Sequence, residues 1–331
     1  MREEMITRSI QRRHPVPYRV RIARPWMGIH ILCRLLPSAL YHLILRPERR
    51  NIPEIGYSFL KGVSFKERVI FAFYDVMHNL IFDSYSEMTG LKVLPATGPM
   101  FNLLLDLTRC LDGYLDKSQR STTVSSLDRV LEAPPLQERI EIFRRYLRLF
   151  GREESIMAYL RQMFTIYYQQ YAQRLMAASS TLQFKDILAT AQVDSGIWRR
   201  CLIEIVALFN AHELPSEDLQ DFYLFGIVGK FADDMFDLRQ DLRNGNPNLL
   251  YALICQDQVE LTVLQQALRK PTRLNAVWWQ THCPNTYNRF FDHIEHYYCQ
   301  ITSRKLRFVS DLLVAPALLG IDLELLPTYE G

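Results

Sequence analysis

The stretch FADDMFDLRQDLRNGNPNLL, residues 231–250, carries the most specific pattern in this chain of 331 residues. Asp233, Asp237 and Asp241 recur every four residues, with Asp234 beside the first. An α-helix turns about 100° per residue, so steps of four drift by only about 40° and gather these carboxylates on one stripe. Ser216 ahead of Glu217 and Asp218 reads as an N-cap followed by acids in the first turn. Asn244-Gly245-Asn246-Pro247 is a firm stop. The pattern predicts one helix over 217–243.

Like charges at i, i+4 oppose a helix by about 0.2–0.5 kcal/mol per pair. A solvated face relieves them with Lys or Arg three or four positions away. Asp237 has Asp233, Asp234, Gln240 and Asp241 in those places, and Asp241 has Asp237, Leu238, Asn244 and Gly245. Only Lys230 can reach Asp233 or Asp234, while Arg239 and Arg243 lie off the stripe. Either this is an acidic solvated face, or other helices or metal ions supply the missing positive charge. Hard oxygen donors without His or Cys select Mg²⁺ or Mn²⁺, and Mg²⁺ takes one or two protein carboxylates, leaving its other positions to water and phosphate. One and two turns earlier stand Gly229 and Gly226, preceded by Phe222. Helix-interior glycines cost about 0.5–1 kcal/mol each against Ala, so they leave room for an apolar substrate or allow close helix packing.

A second acidic helix is expected over 98–117, GPMFNLLLDLTRCLDGYLDK, with Asp112 and Asp116 at i, i+4 near its C-terminal end. Asp106 lies on another face. Carboxylates there oppose the helix dipole, so Asp112 and Asp116 are either metal ligands or a frayed, solvated end.

The remainder of the chain is helical in pattern, with apolar residues at i, i+3, i+4 and no sustained alternation. Helices are expected near 27–45, 64–88, 98–117, 125–132, 136–149, 152–180, 184–211, 217–243, 248–254, 257–268 and 284–312. The fold class is all-α. No repeat or linker stands out, so residues 51–331 are expected to form one domain, with residues 1–50 packed on it as a basic extension.

Hydrophobic residues make up 48% of the chain, which excludes a disordered protein. The net charge of +3 is uneven: residues 1–50 hold 11 Arg and no Lys against 3 Glu, or +8, leaving −5 on the rest. An acidic body without a long basic stripe argues against general nucleic-acid binding by the body and leaves an anionic partner open for the basic leader. The best apolar run, Met27 to Leu45, is broken by His30, Arg34, Pro37 and His42, so no spanning helix is expected; seven Arg precede it and no small-residue cleavage site closes it, so no secretory signal is expected either. The six cysteines are scattered without a C-x-x-C pair and read as reduced packing residues of a cytoplasmic protein. There is no Walker-type loop, no G-x-S-x-G and no dinucleotide fingerprint.

Taken together, Asp233, Asp237, Asp241, Gly245 and Asn248 resemble the second aspartate-rich motif of bacterial large-terpene (class IB) synthases. The latter part also resembles the D-x-x-x-D-x-x-x-G of squalene and phytoene synthases. On the other helix, Asp112-Gly-Tyr-Leu-Asp116 is similar to a D-x-x-x-D first motif, and Gly113-Tyr-Leu-Asp116 to a D-Y-L-D with its first Asp lost. The plant-type N-D-x-x-S-x-x-x-E motif is absent.

The resemblance implies a class I isoprenoid synthase fold, an all-α bundle around a central cavity. It implies two or three Mg²⁺ ions, with Mn²⁺ as a substitute, on Asp112, Asp116, Asp233, Asp234, Asp237 and Asp241. The diphosphate-binding candidates are Lys230, Arg239, Arg289, Arg304 and Lys305. The implied reaction ionises a prenyl or bicyclic diterpenyl diphosphate, C20 favoured, and ends by deprotonation or water capture. Rings such as Tyr167, Tyr168, Tyr171, Phe222, Phe225, Tyr287, Phe290, Phe291, Tyr297 and Tyr298 are candidates to face the cation or simply to fill the core. The alternatives are a head-to-head prenyltransferase and a non-catalytic, membrane-associated binding protein. Peripheral membrane contact and a monomer or homodimer complete these expectations.

Overall fold

The computed structural model describes residues 51–58, 65–118, 127–177 and 183–318. The basic extension 1–50 and the helix expected at 27–45 lie outside the described residues. The described part is all-α apart from a two-residue hairpin, β1 (Asn51–Ile52) with β2 (Tyr57–Ser58), closed through Gly56 at φ 63°. It divides into two compact units: residues 51–227 with 301–309, and 228–300 with 310–318.

In the first unit come α1 (Phe65–Thr89), α2 (Thr97–Ser118), α3 (Leu127–Leu131), α4 (Pro134–Arg148), α5 (Glu153–Ala177), α6 (Phe184–Ala191) and α7 (Trp198–Asn210). Two prolines open α4, where a missing N–H costs nothing. Its Leu136, Phe143, Tyr146 and Leu147 are buried while Glu138, Glu141, Arg144 and Arg145 are exposed, the apolar stripe that docks a helix. It packs on α2, whose Met100, Phe101, Leu104, Leu107 and Leu111 form the facing stripe. Asp106 ties the layers together, accepting from the Tyr57 hydroxyl at 3.1 Å and pairing with Arg139 at 3.2 Å. Between α6 and α7 the chain makes a π-helical turn, Gln192–Ile197, inside what the periodicity presents as one helix over 184–211.

The long helix α8 (Ser216–Phe236) begins in the first unit and ends in the second. After it come α9 (Leu238–Asn244), α10 (Leu249–Ile254), α11 (Gln258–Leu268), α12 (Ala276–His282), α13 (Pro284–Tyr298) and α14 (Arg304–Leu318). The expected helix 217–243 is therefore two, interrupted at Asp237 (φ −97°, ψ 9°). The expected helix 284–312 is also two, and α12 is additional. A buried carboxylate accounts for the second break: Asp221 accepts from the Thr302 amide (2.9 Å) and hydroxyl (2.8 Å) and from the Ser303 amide (2.7 Å), which satisfies donors at the start of α14. Glu260 does the same for α13, accepting from the Asn285 and Thr286 amides at 2.7 and 2.8 Å.

Cys201, Cys255 and Cys283 are free thiols. Cys201 and Cys283 are buried, but Cys255 and Cys299 are exposed, so a packing role fits only the first two. Among the described residues no helix is long and apolar enough to cross a membrane.

Candidate metal centre

The acidic stripe does not form as a uniform row. Asp233 is exposed near the end of α8, Asp234 is fully buried, and Asp237 and Asp241 are half-buried at the break and within α9. The helical ladder survives the break on this face, because the Asp237 amide reaches the Asp233 carbonyl at 2.8 Å and the Asp241 amide the Asp237 carbonyl at 2.7 Å. The three carboxylates that the spacing aligns thus remain on one continuous run of backbone.

Three residues of the stretch 231–250 shape this corner. Asp234 pairs with the Lys230 ammonium at 2.7 Å and accepts from the Leu249 amide at 2.6 Å. Asn248 is buried and donates both to the Asp234 carbonyl and to the Asp241 carboxylate, each at 2.8 Å. Its own carbonyl oxygen accepts from the Tyr251 amide at 3.0 Å, capping α10. Gly245 ends α9 at φ 73° with its amide on the Asp241 carbonyl. The glycine and asparagine of the motif therefore fold the chain back so that α10 starts against the acidic corner. Sequence alone places Asn248 in the motif without a partner. Its signal is an N-cap asparagine directly before the apolar run Leu249–Ile254.

Electrostatics follow from this crowding. Burial first, then the Asp233 and Asp241 charges, push the Asp237 carboxyl up to about 6. Burial also raises Asp241, against the hydrogen bond from Asn248. For Lys230, burial opposes the charged form, but Asp234 and Asp233 together raise its pKa above the usual range. Lys230 bonds Asp233 as well, at 3.0 Å, so one ammonium serves two of the carboxylates.

A pH effect follows. A carboxyl whose folded pKa is raised from about 3.9 to about 6 gives stability that is complete below the unfolded value and lost as pH rises through the folded one. In chelator-treated protein, Asp237→Asn is expected to melt above the wild type at pH 7.5, with the gap closing towards pH 4. A gap independent of pH would contradict the crowding.

The remaining sequence candidates are placed as follows. Arg239 spends its guanidinium on the carbonyls of Leu268, Lys270 and Thr272, at 3.1, 3.3 and 2.8 Å, fastening the loop after α11. Arg289 bonds the Gln256 side chain at 2.6 Å. In the first unit Lys305 pairs with Glu87 at 3.5 Å, and Arg304 is exposed. Asp112 and Asp116 lie on α2, where the backbone alone is described. Phe222, Phe225, Tyr287, Phe290, Phe291 and Tyr298 are buried. Phe290 meets Phe231 edge-on at 5.1 Å, and Tyr287 packs on Phe291 at 4.7 Å. Tyr167 stands apart, lining a shallow apolar groove with Met163, Ile166, Val193, Ile197, Trp198 and Cys201.

No family model matches the sequence, and no curated protein matches it. Among solved structures, a polyprenyl synthetase from Streptomyces coelicolor A3(2) aligns over 89% of this chain and 97% of its own, at 13% identity and a TM-score of 0.39. A likeness of that degree carries no weight for fold or chemistry.

The donor chemistry decides whether a divalent cation suits this corner. Among the described residues no three His, Cys, Asp or Glu side chains close round a metal position. Mg²⁺ requires only one or two protein carboxylates. Asp233 and Asp237 offer hard oxygens on one continuous run of backbone, and the Lys230 ammonium is bonded to Asp233 and Asp234. The residues fit a cation that keeps most of its shell for water or phosphate.

The glycines resolve differently from each other. A Cβ at Gly226 would overlap the Ser195 carbonyl oxygen and stand 2.8 Å from Arg199 Cβ, whereas one at Gly229 would meet only Leu313 at 3.6 Å. Gly226 exists for close approach of α8 to the π-helical turn and leaves no room for substrate. A Cβ at Gly196, in that turn, would in reply stand 2.6 Å from the Tyr223 ring.

Proposed function

We propose that this chain is a Mg²⁺-dependent class I isoprenoid synthase, specifically a terpene synthase that ionises a prenyl or bicyclic diterpenyl diphosphate. The observation that carries the reading is the crowding of Asp233, Asp237 and Asp241 around the break between α8 and α9, with the Lys230 ammonium nearby and the motif partners Gly245 and Asn248 holding the corner. Asp233 and Asp237, with Asp241 behind them, would hold the cation. When bound, it supplies Lewis-acid stabilisation of the oxygen that a departing diphosphate leaves charged.

The chain's own part is positional. Asn248 orients Asp241 through its amide, and Asp234 locks the end of α8 onto the start of α10. In the proposed reaction the allylic C–O bond breaks, diphosphate leaves with the electron pair, and the resulting carbocation loses a proton or captures a water that then gives up a proton. Asp112 and Asp116 enter this reading through the sequence resemblance alone.

The test is a panel of C10 to C25 prenyl diphosphates and a bicyclic diterpenyl diphosphate, each with and without Mg²⁺, read as diphosphate release and organic product. Mg²⁺-dependent release with a product of unchanged carbon number is expected. A product of doubled carbon number would instead identify a head-to-head prenyltransferase. No turnover of any substrate by folded protein would overturn the reading in favour of a binding protein.

A further inference from the structure

Lys230 is shared unequally. Its bond to Asp234 (2.7 Å) is to a carboxylate with no exposed surface, whereas its bond to Asp233 (3.0 Å) is to one that is 56% exposed. Breaking a buried pair by removing one partner leaves an uncompensated buried charge and is strongly destabilising, whereas an exposed pair contributes little. The ammonium can therefore release Asp233 cheaply and cannot release Asp234. Asp234 also holds the Leu249 amide at 2.6 Å, so its oxygens are committed on both sides.

We infer that Lys230 is a built-in counter-ion that a divalent cation displaces from Asp233, and that Asp234 is the fixed anchor of this lysine and no metal ligand. The inference rests on the proposed cation site and assigns its regulation. In the cation-free protein the lysine partly neutralises the corner. When a cation arrives at Asp233 and Asp237, the ammonium stays on Asp234 and gives up its other arm. The lysine thereby lowers cation affinity, so Mg²⁺ alone binds more weakly than Mg²⁺ arriving with a diphosphate.

The experiment uses the double variant K230Q/D234N. Lys230→Gln alone would strand the Asp234 charge. The double variant replaces the buried ion pair by two amides of similar size, keeps an acceptor for Leu249, and leaves the net charge of the corner unchanged. Calorimetric titration with Mg²⁺ alone is expected to show affinity about 10-fold higher than wild type, within the range that groups surrounding metal ligands command. In wild-type protein the Lys230 Cε resonance is expected to shift on addition of Mg²⁺, a readout independent of how the variant folds. A stationary resonance, or equal or weaker affinity in the variant, would overturn the role of the lysine while leaving the cation site standing. Absence of Mg²⁺ binding in both proteins would overturn the site and the inference together.

Discussion

Asp233→Asn/Asp237→Asn is expected to slow diphosphate release by at least about 100-fold at saturating Mg²⁺, the order lost when charge stabilisation is removed from an active site. Asparagine preserves the size and polarity of each side chain, so the substitution deletes anionic ligands with little change of shape. It also removes the cost of ionising Asp237, which burial first and then the Asp233 and Asp241 charges impose. Without metal, the variant is therefore expected to melt above the wild type at pH 7.5. Greater stability with lost turnover is a combination that misfolding cannot produce. Turnover within a few-fold of wild type would remove this corner from the chemistry.

The second large effect concerns Gly226. Overpacking usually costs about 1–3 kcal/mol, more where nothing can move aside. At Gly226 the obstruction is the Ser195 backbone carbonyl in the π-helical turn, with Arg199 behind it. Gly226→Ala is expected to lose about 3 kcal/mol or more in urea denaturation. Gly229→Ala, facing only the flexible end of Leu313, is expected to gain up to about 1 kcal/mol from helix propensity. Equal effects at the two positions would show that the close approach is not what Gly226 serves.

These two glycines show where sequence reading reaches its limit. Both sit on one helix at a spacing that fits substrate room as well as packing, and only the neighbour across the gap separates the cases. Element positions were more accessible. Amphipathic period and terminal signals place α2, α4, α5, α10 and α11 within a few residues, because those signals are local. Two helix starts that the expected spans omit carry local signals. Asn275 caps α12 through the Trp278 amide, and Ser303 accepts from the Leu306 amide at the start of α14. The break at Asp237 was not legible, since the contacts around it join α8 to Asn248 and Leu249.

In the candidate site, the carboxylate stripe and the reach of Lys230 follow from helical spacing, and the bonds of Lys230 to Asp233 and Asp234 are those the spacing allows. The unequal status of those two aspartates does not follow from it. Adjacent residues on a helix differ by about 100° in direction, and which one turns inward is decided by what lies outside the helix. Arg239 illustrates the same point, because its carbonyl partners are 29 to 33 residues away in sequence.

The bond from the Leu249 amide to Asp234 spans only 15 residues. Closing so short a loop costs little chain entropy, and the clasp from Asp234 through Asn248 to Leu249 contains its own fastenings. Such a segment is a natural cooperative unit, able to open without unfolding the rest. The exchange rate of the Leu249 amide hydrogen with solvent is then a direct gauge of that opening, and the acidic corner comes with its own reporter atom.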